Sequence, residues 1–271
     1  MIKRATIYFN DNIIESITGE WLSIYNELFS NQYQKKAYDY MNGNNNNIYI
    51  PLPFWFTKKK SYALPHIKIS NTTAIKLELE FNNLDELISN KITNNEEEFN
   101  LNIYTSYIFV DNRELIRNNK FQYNIELIQE NRFNIPDYND NYNADLKFDN
   151  MSKGIIWYHR LKHNDDYNNS TSYDTFRSAQ LKLNNVERFS NNSSYFRIMQ
   201  NYSNYNCIPK LNIYSYSFCK DDNYLLNINK FDSVNLLINY NNDQLYKDLE
   251  LVVYNRAVRT LIFENNTATL I

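Results

Sequence analysis

Ile75-Lys76-Leu77-Glu78-Leu79-Glu80-Phe81 alternates apolar and charged residues without a break. A period of two puts the apolar side chains on one face of an extended chain and the charges on the other, so the stretch reads as a strand with one buried face. The pattern recurs outward from it, at Leu101, Ile103, Thr105, Tyr107 and Phe109, and again at Phe121, Tyr123, Ile125 and Leu127. Shorter runs follow at 146–148, 155–158, 179–183, 195–199, 211–218, 234–238, 249–254 and 258–263. Their β-branched and aromatic content favours strands over helices. Many short strands at this spacing predict an all-β protein, a sandwich or a jelly roll.

One helix interrupts the pattern. Trp21, Ile24, Tyr25 and Leu28 share a face at the 3.6 period. Thr18 is placed to cap it, and Glu20 in its first turn suits the positive end of the helix dipole. A short helix spanning residues 18–29 is therefore expected, closing the core at one end of a sheet. Asn42-Gly43 with Asn44 to Asn47 reads as a loop, Glu96-Glu97-Glu98 as an exposed corner, and the polar stretch from Asn131 to Asn143, with Pro136, as a linker. Cutting there leaves two β-patterned domains, residues 1–130 and 144–271.

Composition excludes several functions. The 271 residues carry 28 Lys+Arg against 31 Asp+Glu, a net charge of −3, which speaks against binding nucleic acid by bulk electrostatics. No apolar run approaches the roughly 18 residues of a membrane span, and the N-terminus does not read as a signal peptide. Cys207 and Cys219 are the only cysteines, which fits free thiols in a reducing compartment. There are 48 Asn and 24 Tyr beside 3 Gly, 5 Pro and 8 Ala. Residues with A/T-rich codons dominate, so abundance alone gives no Asn or Tyr a function.

Chemistry-bearing motifs are thin. His159 and His163 have the i, i+4 spacing of a helical zinc pair, but His159 ends a strand-like run and His163 falls in a polar segment, with no third ligand evident. Cys207 and Cys219 lack both a C-x-x-C spacing and a neighbouring base. Asp165-Asp166 and Asp221-Asp222 read as solvated turns, and Lys58-Lys59-Lys60 as a wet strand end. Asn-x-Ser/Thr triplets starting at Asn71, Asn169 and Asn201 are expected by chance at this Asn frequency. No catalytic, cofactor-binding or metal-binding residue is assigned.

Longer segments are more specific. Ile50-Pro51-Leu52-Pro53-Phe54-Trp55-Phe56, then Ala63-Leu64-Pro65 and the strand to Phe81, resembles a hallmark stretch of the major capsid proteins of nucleocytoplasmic large DNA viruses. Pro51 and Pro53 cannot donate to a ladder, so this segment is expected to be an edge or strand entrance. Phe9 to Glu15 resembles the segment just before. Tyr107 to Glu114, Tyr123 to Gln129, Leu146 to Trp157, Ala179 to Phe189, Ile213 to Phe218 and Val253 to Arg259 follow in the family's order. Two departures stand out. The family has further strands of its first jelly roll before the point where this chain begins, and Cys219 to Lys230 lacks the family's Pro-Ser-Gly stretch.

The resemblance implies two consecutive jelly-roll sandwiches, the first (1–130) incomplete and the second at 144–271, joined by 131–143. It implies a non-enzymatic virion protein without cofactors, forming homotrimers that tile an icosahedral shell as pseudo-hexagonal capsomers. The implied partners are itself and other capsid proteins, with the internal viral membrane as a further one, and assembly takes place in the host cytoplasm. Sequence-specific nucleic-acid binding is not expected. An incomplete roll would leave a sheet edge open to strand addition from a neighbour. Trp55 and Phe56 are candidates for packing near a subunit contact. A transient membrane-shaping scaffold is the alternative, with a carbohydrate-binding jelly roll or a cupin-like metal enzyme behind it.

Overall fold

The computed structural model describes residues 2–43, 47–65, 74–83, 100–109, 120–137, 140–161, 176–218, 225–240, 248–264 and 267–271. The chain forms two compact units. One gathers Met1–Gly19, Leu52–Tyr123 and Thr260–Ile271, and the other Glu20–Pro51 and Asn124–Arg259.

In the first unit, β1 (Ile2–Phe9) lies between β2 (Asn12–Thr18) and β3 (Ile75–Phe81), all antiparallel. Ala5 faces Leu79, Ile7 faces Leu77 and Phe9 faces Ile75, so the alternation read in β3 continues a row of buried side chains on β1. Phe9 meets Phe263 at 5.9 Å between ring centroids, and Tyr123 meets both Phe263 and Trp55 at the same distance. The Pro51–Phe56 segment is not a strand. Extended backbone runs to Phe54, and a single helical turn follows, designated α3 (Trp55–Lys58). The buried Glu15 carboxylate accepts the Trp55 backbone N–H at 2.9 Å, satisfying one of the helix's leading donors. Leu101–Phe109, expected to be a strand, is exposed and belongs to no sheet among the described residues.

The second unit holds α1 (Gly19–Phe29), apart from its first residue, and α2 (Gln32–Gly43). The α2 helix replaces the expected start of a loop at Asn42-Gly43. Its first turn is fixed by a reciprocal capping box, in which Gln34 N–H donates to Asn31 Oδ1 at 2.9 Å and Asn31 N–H donates to Gln34 Oε1 at 2.8 Å.

The strands of this unit form two sheets. β6 (Met151–Leu161) has β12 (Leu249–Glu264) on one side and β9 (Tyr214–Ser217) and β10 (Leu226–Asn227) on the other, and β12 also pairs with β4 (Lys120–Asn134). The second sheet has the order β5 (Asn141–Asp145), β11 (Val234–Tyr240), β7 (Phe176–Leu183), β8 (Val186–Asn192). Trp157, Phe176, Leu181, Phe196, Tyr214 and Leu251 belong to the core of this unit. Residues 131–143, expected to be a linker, carry the end of β4 and the start of β5, with Ile135 buried between them. The runs at 249–254 and 258–263 are one strand with a bulge between Asn255 and Ala257.

Two further differences have local causes. Tyr195–Gln200, expected as a strand, is a π-helical turn continued by α4 (Asn201–Tyr205). Asn192 Oδ1 accepts the Tyr195 N–H at 2.9 Å, which starts a helical turn in place of a ladder. In β6, six successive residues from Gly154 to His159 are buried, because both faces of the strand are covered. Ile155 and Trp157 belong to the core, while Tyr158 on the opposite face stacks on Tyr254, which meets Trp21 of α1 at 5.1 Å. The α1 helix thus covers the outer face of a sheet rather than its end. Burying Trp21, Ile24 and Leu28 there contributes about 1.5–3 kcal/mol each.

Among the described residues the left-handed positions are all held by asparagine or aspartate: Asn10, Asn150, Asn184, Asn185, Asn206 and Asp248 are the non-glycine residues there with positive φ. Asn184 (φ 49°) and Asn185 (φ 62°) form the two-residue turn between β7 and β8, the conformation that type I′ hairpins require. Asn184 Oδ1 also accepts the N–H groups of Asp232 and Ser233 at 2.8 and 3.2 Å. Asn185→Ala is expected to cost about 1 kcal/mol, because a Cβ without a local amide tolerates this region poorly. Asn185→Gly is expected to stay within about 0.5 kcal/mol of the parent. Urea unfolding midpoints would check this, and equal losses in the two variants would exclude a conformational origin.

Candidate assembly surfaces

Of the chemistry-bearing candidates, the described ones, His159 and Cys207, are packed into the fold. His159 is buried, with Nε2 3.0 Å from the Tyr240 hydroxyl and its ring among Phe176, Tyr214 and Tyr240. Burial pushes its pKa from 6.5 down to about 3, so the ring is neutral at ordinary pH. Cys207 is half-buried against the end of α1, its Sγ 3.5 and 3.6 Å from the carbonyl oxygens of Glu27 and Leu28. Burial raises the thiol pKa, the opposite of what a nucleophile needs. His163, Cys219, Asp165-Asp166 and Asp221-Asp222 lie outside the described residues. Among the described residues, no three His, Cys, Asp or Glu side chains converge on a metal-sized site, and no helix is long and apolar enough to cross a membrane.

Two clusters of paired ions lie against α1. Glu20, in its first turn, bridges Arg132 of β4 and Arg160 of β6, which also engage Glu130 and Glu250. At the other end, Arg256 grips Glu126 through two parallel bonds of 2.9 and 3.1 Å and donates to the Tyr205 hydroxyl at 3.2 Å. Its guanidinium also lies 5.2 Å from the Phe29 ring centroid. These are paired, half-buried ions that fix a helix to a sheet, and the paired carboxylates are committed to arginines. Asn201 is fully buried, donating to the carbonyls of Arg197 and Ile213 and accepting from Ser215 Oγ, so its Asn-x-Ser triplet is no glycan acceptor in the folded chain.

The exposed apolar surface is of another kind. Tyr33 and Tyr40 project from α2, and Ile198, Met199, Tyr202 and Ile208 are exposed on and after the π-helical turn. In the first unit, Leu101, Ile103, Tyr104, Ile108 and Phe109 are exposed along one segment. Aromatic residues and Met are enriched at the centres of protein interfaces, and exposed apolar surface on this scale marks contact sites. Trp55, by contrast, is core, and Phe56 is half-buried in a stack on Phe54 at 5.7 Å. Lys58-Lys59-Lys60 covers the end of α3 and the turn beyond it, with Lys59 over the Tyr62 ring.

Comparison with known proteins places this β-rich chain. Residues 1–111 match the family model of the major capsid protein N-terminus, and residues 112–269 match that of the large eukaryotic DNA virus major capsid protein. The chain belongs to this capsid protein family. The major capsid protein of Pyramimonas orientalis virus is 26% identical over 224 residues, covering 77% of this chain and 54% of that protein. This chain therefore spans about half the length of that relative. Among solved structures, the PBCV-1 virus capsid matches 99% of this chain and 83% of its own with a TM-score of 0.80 at 18% identity. The Faustovirus major capsid protein matches 97% of this chain and 71% of its own, with a TM-score of 0.72 at 10% identity. At these identities the likeness is one of fold, and the fold is the all-β jelly-roll class. The family is one of structural, non-enzymatic capsid proteins of the virion.

Proposed function

We propose that this chain is a building block of an icosahedral viral shell, associating with copies of itself into trimeric, pseudo-hexagonal capsomers and with other capsid proteins around them. The observation that carries this reading is the tiling of residues 1–269 by the two halves of the major capsid protein family, in order. Its organisation as two rolls enters the proposal in amended form. The second roll is built on the paired sheets of the second unit, and a partial first roll is built around β1, β2 and β3. Assembly in the host cytoplasm and contact with an internal membrane belong to the same proposal, as does the absence of sequence-specific nucleic-acid binding, in keeping with a net charge of −3.

Electron microscopy of the purified full chain, with sedimentation over a range of concentrations, tests it. Trimers with a pseudo-hexagonal outline, or lattices of them, are expected. A particle that stays monomeric at every concentration overturns the reading. Proteomics of mature particles separates a shell component, which is retained, from a transient scaffold, which is lost.

A further inference from the structure

We propose that the helical segment 195–205 and the turn after it form a lipid-facing surface that docks on an anionic bilayer; the inference rests on the membrane contact proposed above and gives it a place in the chain. Arg197 and Lys210 are the only charged residues between Phe189 and Phe218. Around them Ile198 is 39%, Met199 58%, Tyr202 61% and Ile208 57% exposed. Ile198, Met199 and Tyr202 stand on the outer side of the π-helical turn and α4. On the inner side Phe196 belongs to the core, and Asn201 donates to the Arg197 and Ile213 carbonyls. The outer side is therefore held in place by a buried one. Asn206 (φ 53°) ends the helix, its N–H donating to the Tyr202 carbonyl at 3.0 Å. Beyond it Pro209 is buried and Ile208 points back out.

Charge decides what this surface fits. Arg132, Arg160 and Arg256 are each held by carboxylates. Arg197 pairs with no carboxylate among the described residues, and its Nε is buried without a hydrogen-bond partner. Lys210 is exposed. Glu27, whose carboxylate reaches this segment, accepts the Lys210 backbone N–H and pairs with Lys35 at 3.7 Å. Two cations thus flank a set of exposed apolar side chains.

A guanidinium takes a phosphate through paired N–H donors. A protein partner covering both cations would have to set a carboxylate opposite each, at a desolvation cost to both sides. An anionic leaflet presents phosphates across its whole surface. Hydrocarbon lies directly beneath for Ile198, Met199 and Ile208, and Tyr202 suits the headgroup level between the two.

Flotation of the full chain with vesicles tests this. Vesicles of phosphatidylcholine mixed with phosphatidylserine should carry the protein up, and phosphatidylcholine alone much less. Binding to the mixture should fall as salt is raised. Lys210→Gln and Arg197→Gln should each weaken that binding by about fivefold. Met199→Ser combined with Tyr202→Ser should weaken it by about tenfold or more. Lys210, Met199 and Tyr202 are exposed, so these variants should melt with the parent and keep the test readable if the half-buried Arg197 proves structural. Val186→Ser, at an exposed apolar position of β8, is the control and should bind as the parent does.

Equal binding to both vesicles, or variants that bind as the parent does, overturns this surface and leaves membrane contact standing. If such variants also lose self-association in lipid-free sedimentation, the face is a contact between proteins. A parent that binds neither vesicle overturns membrane contact and this surface together. None of these results touches the capsid reading, which the lipid-free microscopy decides.

Discussion

Replacing Gly154 with alanine is expected to destabilise the second unit by about 3 kcal/mol or more, the upper end of what overpacking a core costs. Gly154 sits in β6 opposite Ser217 of β9. A Cβ built there would lie 2.4 Å from the Tyr216 carbonyl oxygen and 3.0 Å from the Ser217 Cα. Both are backbone atoms, so no rotamer change relieves the overlap and β9 itself must move. That strand carries Tyr214 in the core, Tyr216 stacked 3.8 Å from Phe189, and Ser215 bonded to the buried Asn201. Phe218 N–H donates to the Lys153 carbonyl at 2.9 Å beside it. Moving β9 therefore disturbs an aromatic cluster and a buried polar pair together.

Urea unfolding followed by far-ultraviolet circular dichroism would read the loss, and a variant within about 0.5 kcal/mol of the parent would show that β6 and β9 do not approach this closely. Gly19 faces a comparable overlap, 2.1 Å from the Ile2 carbonyl oxygen. With only 3 glycines in the chain, two mark places where backbones touch. Neither has a positive φ; asparagine and aspartate have taken over that role.

Those asparagines show how composition misleads. Codon bias explains why 48 are present but not where they sit, and the hairpin turn at Asn184-Asn185 needs residues that tolerate the left-handed region. Strands with one wet face were legible because burial on one side imposes a period of two, as in β3, β7 and β11. The α1 stripe was legible for the same reason at 3.6. The α2 helix was missed because Gln32–Gly43 has no broad apolar face, and the signal that could have found it is the Asn31, Gln34 spacing of a capping box. At Tyr195–Met199, alternating Tyr, Arg and Met imitated a strand, while the Asn192-Ser193-Ser194 lead-in favoured a helical turn.

Of the candidate surfaces, Leu101–Phe109 was visible in the sequence as pattern but not as exposure, since exposure is decided by what the rest of the fold lays over a segment. The Glu20, Arg132, Arg160 network joins residues 112 and 140 positions apart. No local pattern encodes such pairs; they follow from which faces of β4, β6 and β12 the helix covers.

Acid is expected to weaken the fold through His159 well before it reaches the range of ordinary carboxylates. Folding holds this ring neutral, its pKa pushed from 6.5 down to about 3 by burial. Its neighbour Tyr240 supplies no countercharge, because burial raises that hydroxyl's pKa and keeps it protonated. Above about pH 6.5 neither the folded nor the unfolded chain binds a proton here, and the contribution is fully present. Between about 6.5 and 3 the unfolded chain takes up a proton that the folded chain refuses, so stability falls as pH falls, by about 1.4 kcal/mol per unit. At pH 4.5 the loss amounts to roughly 3 kcal/mol. His159→Gln keeps a hydrogen-bonding group near Tyr240 but cannot titrate. Its stability should lie below the parent's at pH 7 and fall less steeply on acidification, the gap narrowing by that same amount in urea titrations at pH 7 and 4.5. Carboxylates act on both proteins alike, so they cancel in the difference. Parallel curves would mean that water reaches the ring, and that the core around Trp157, Phe176 and Tyr214 is looser than its packing implies.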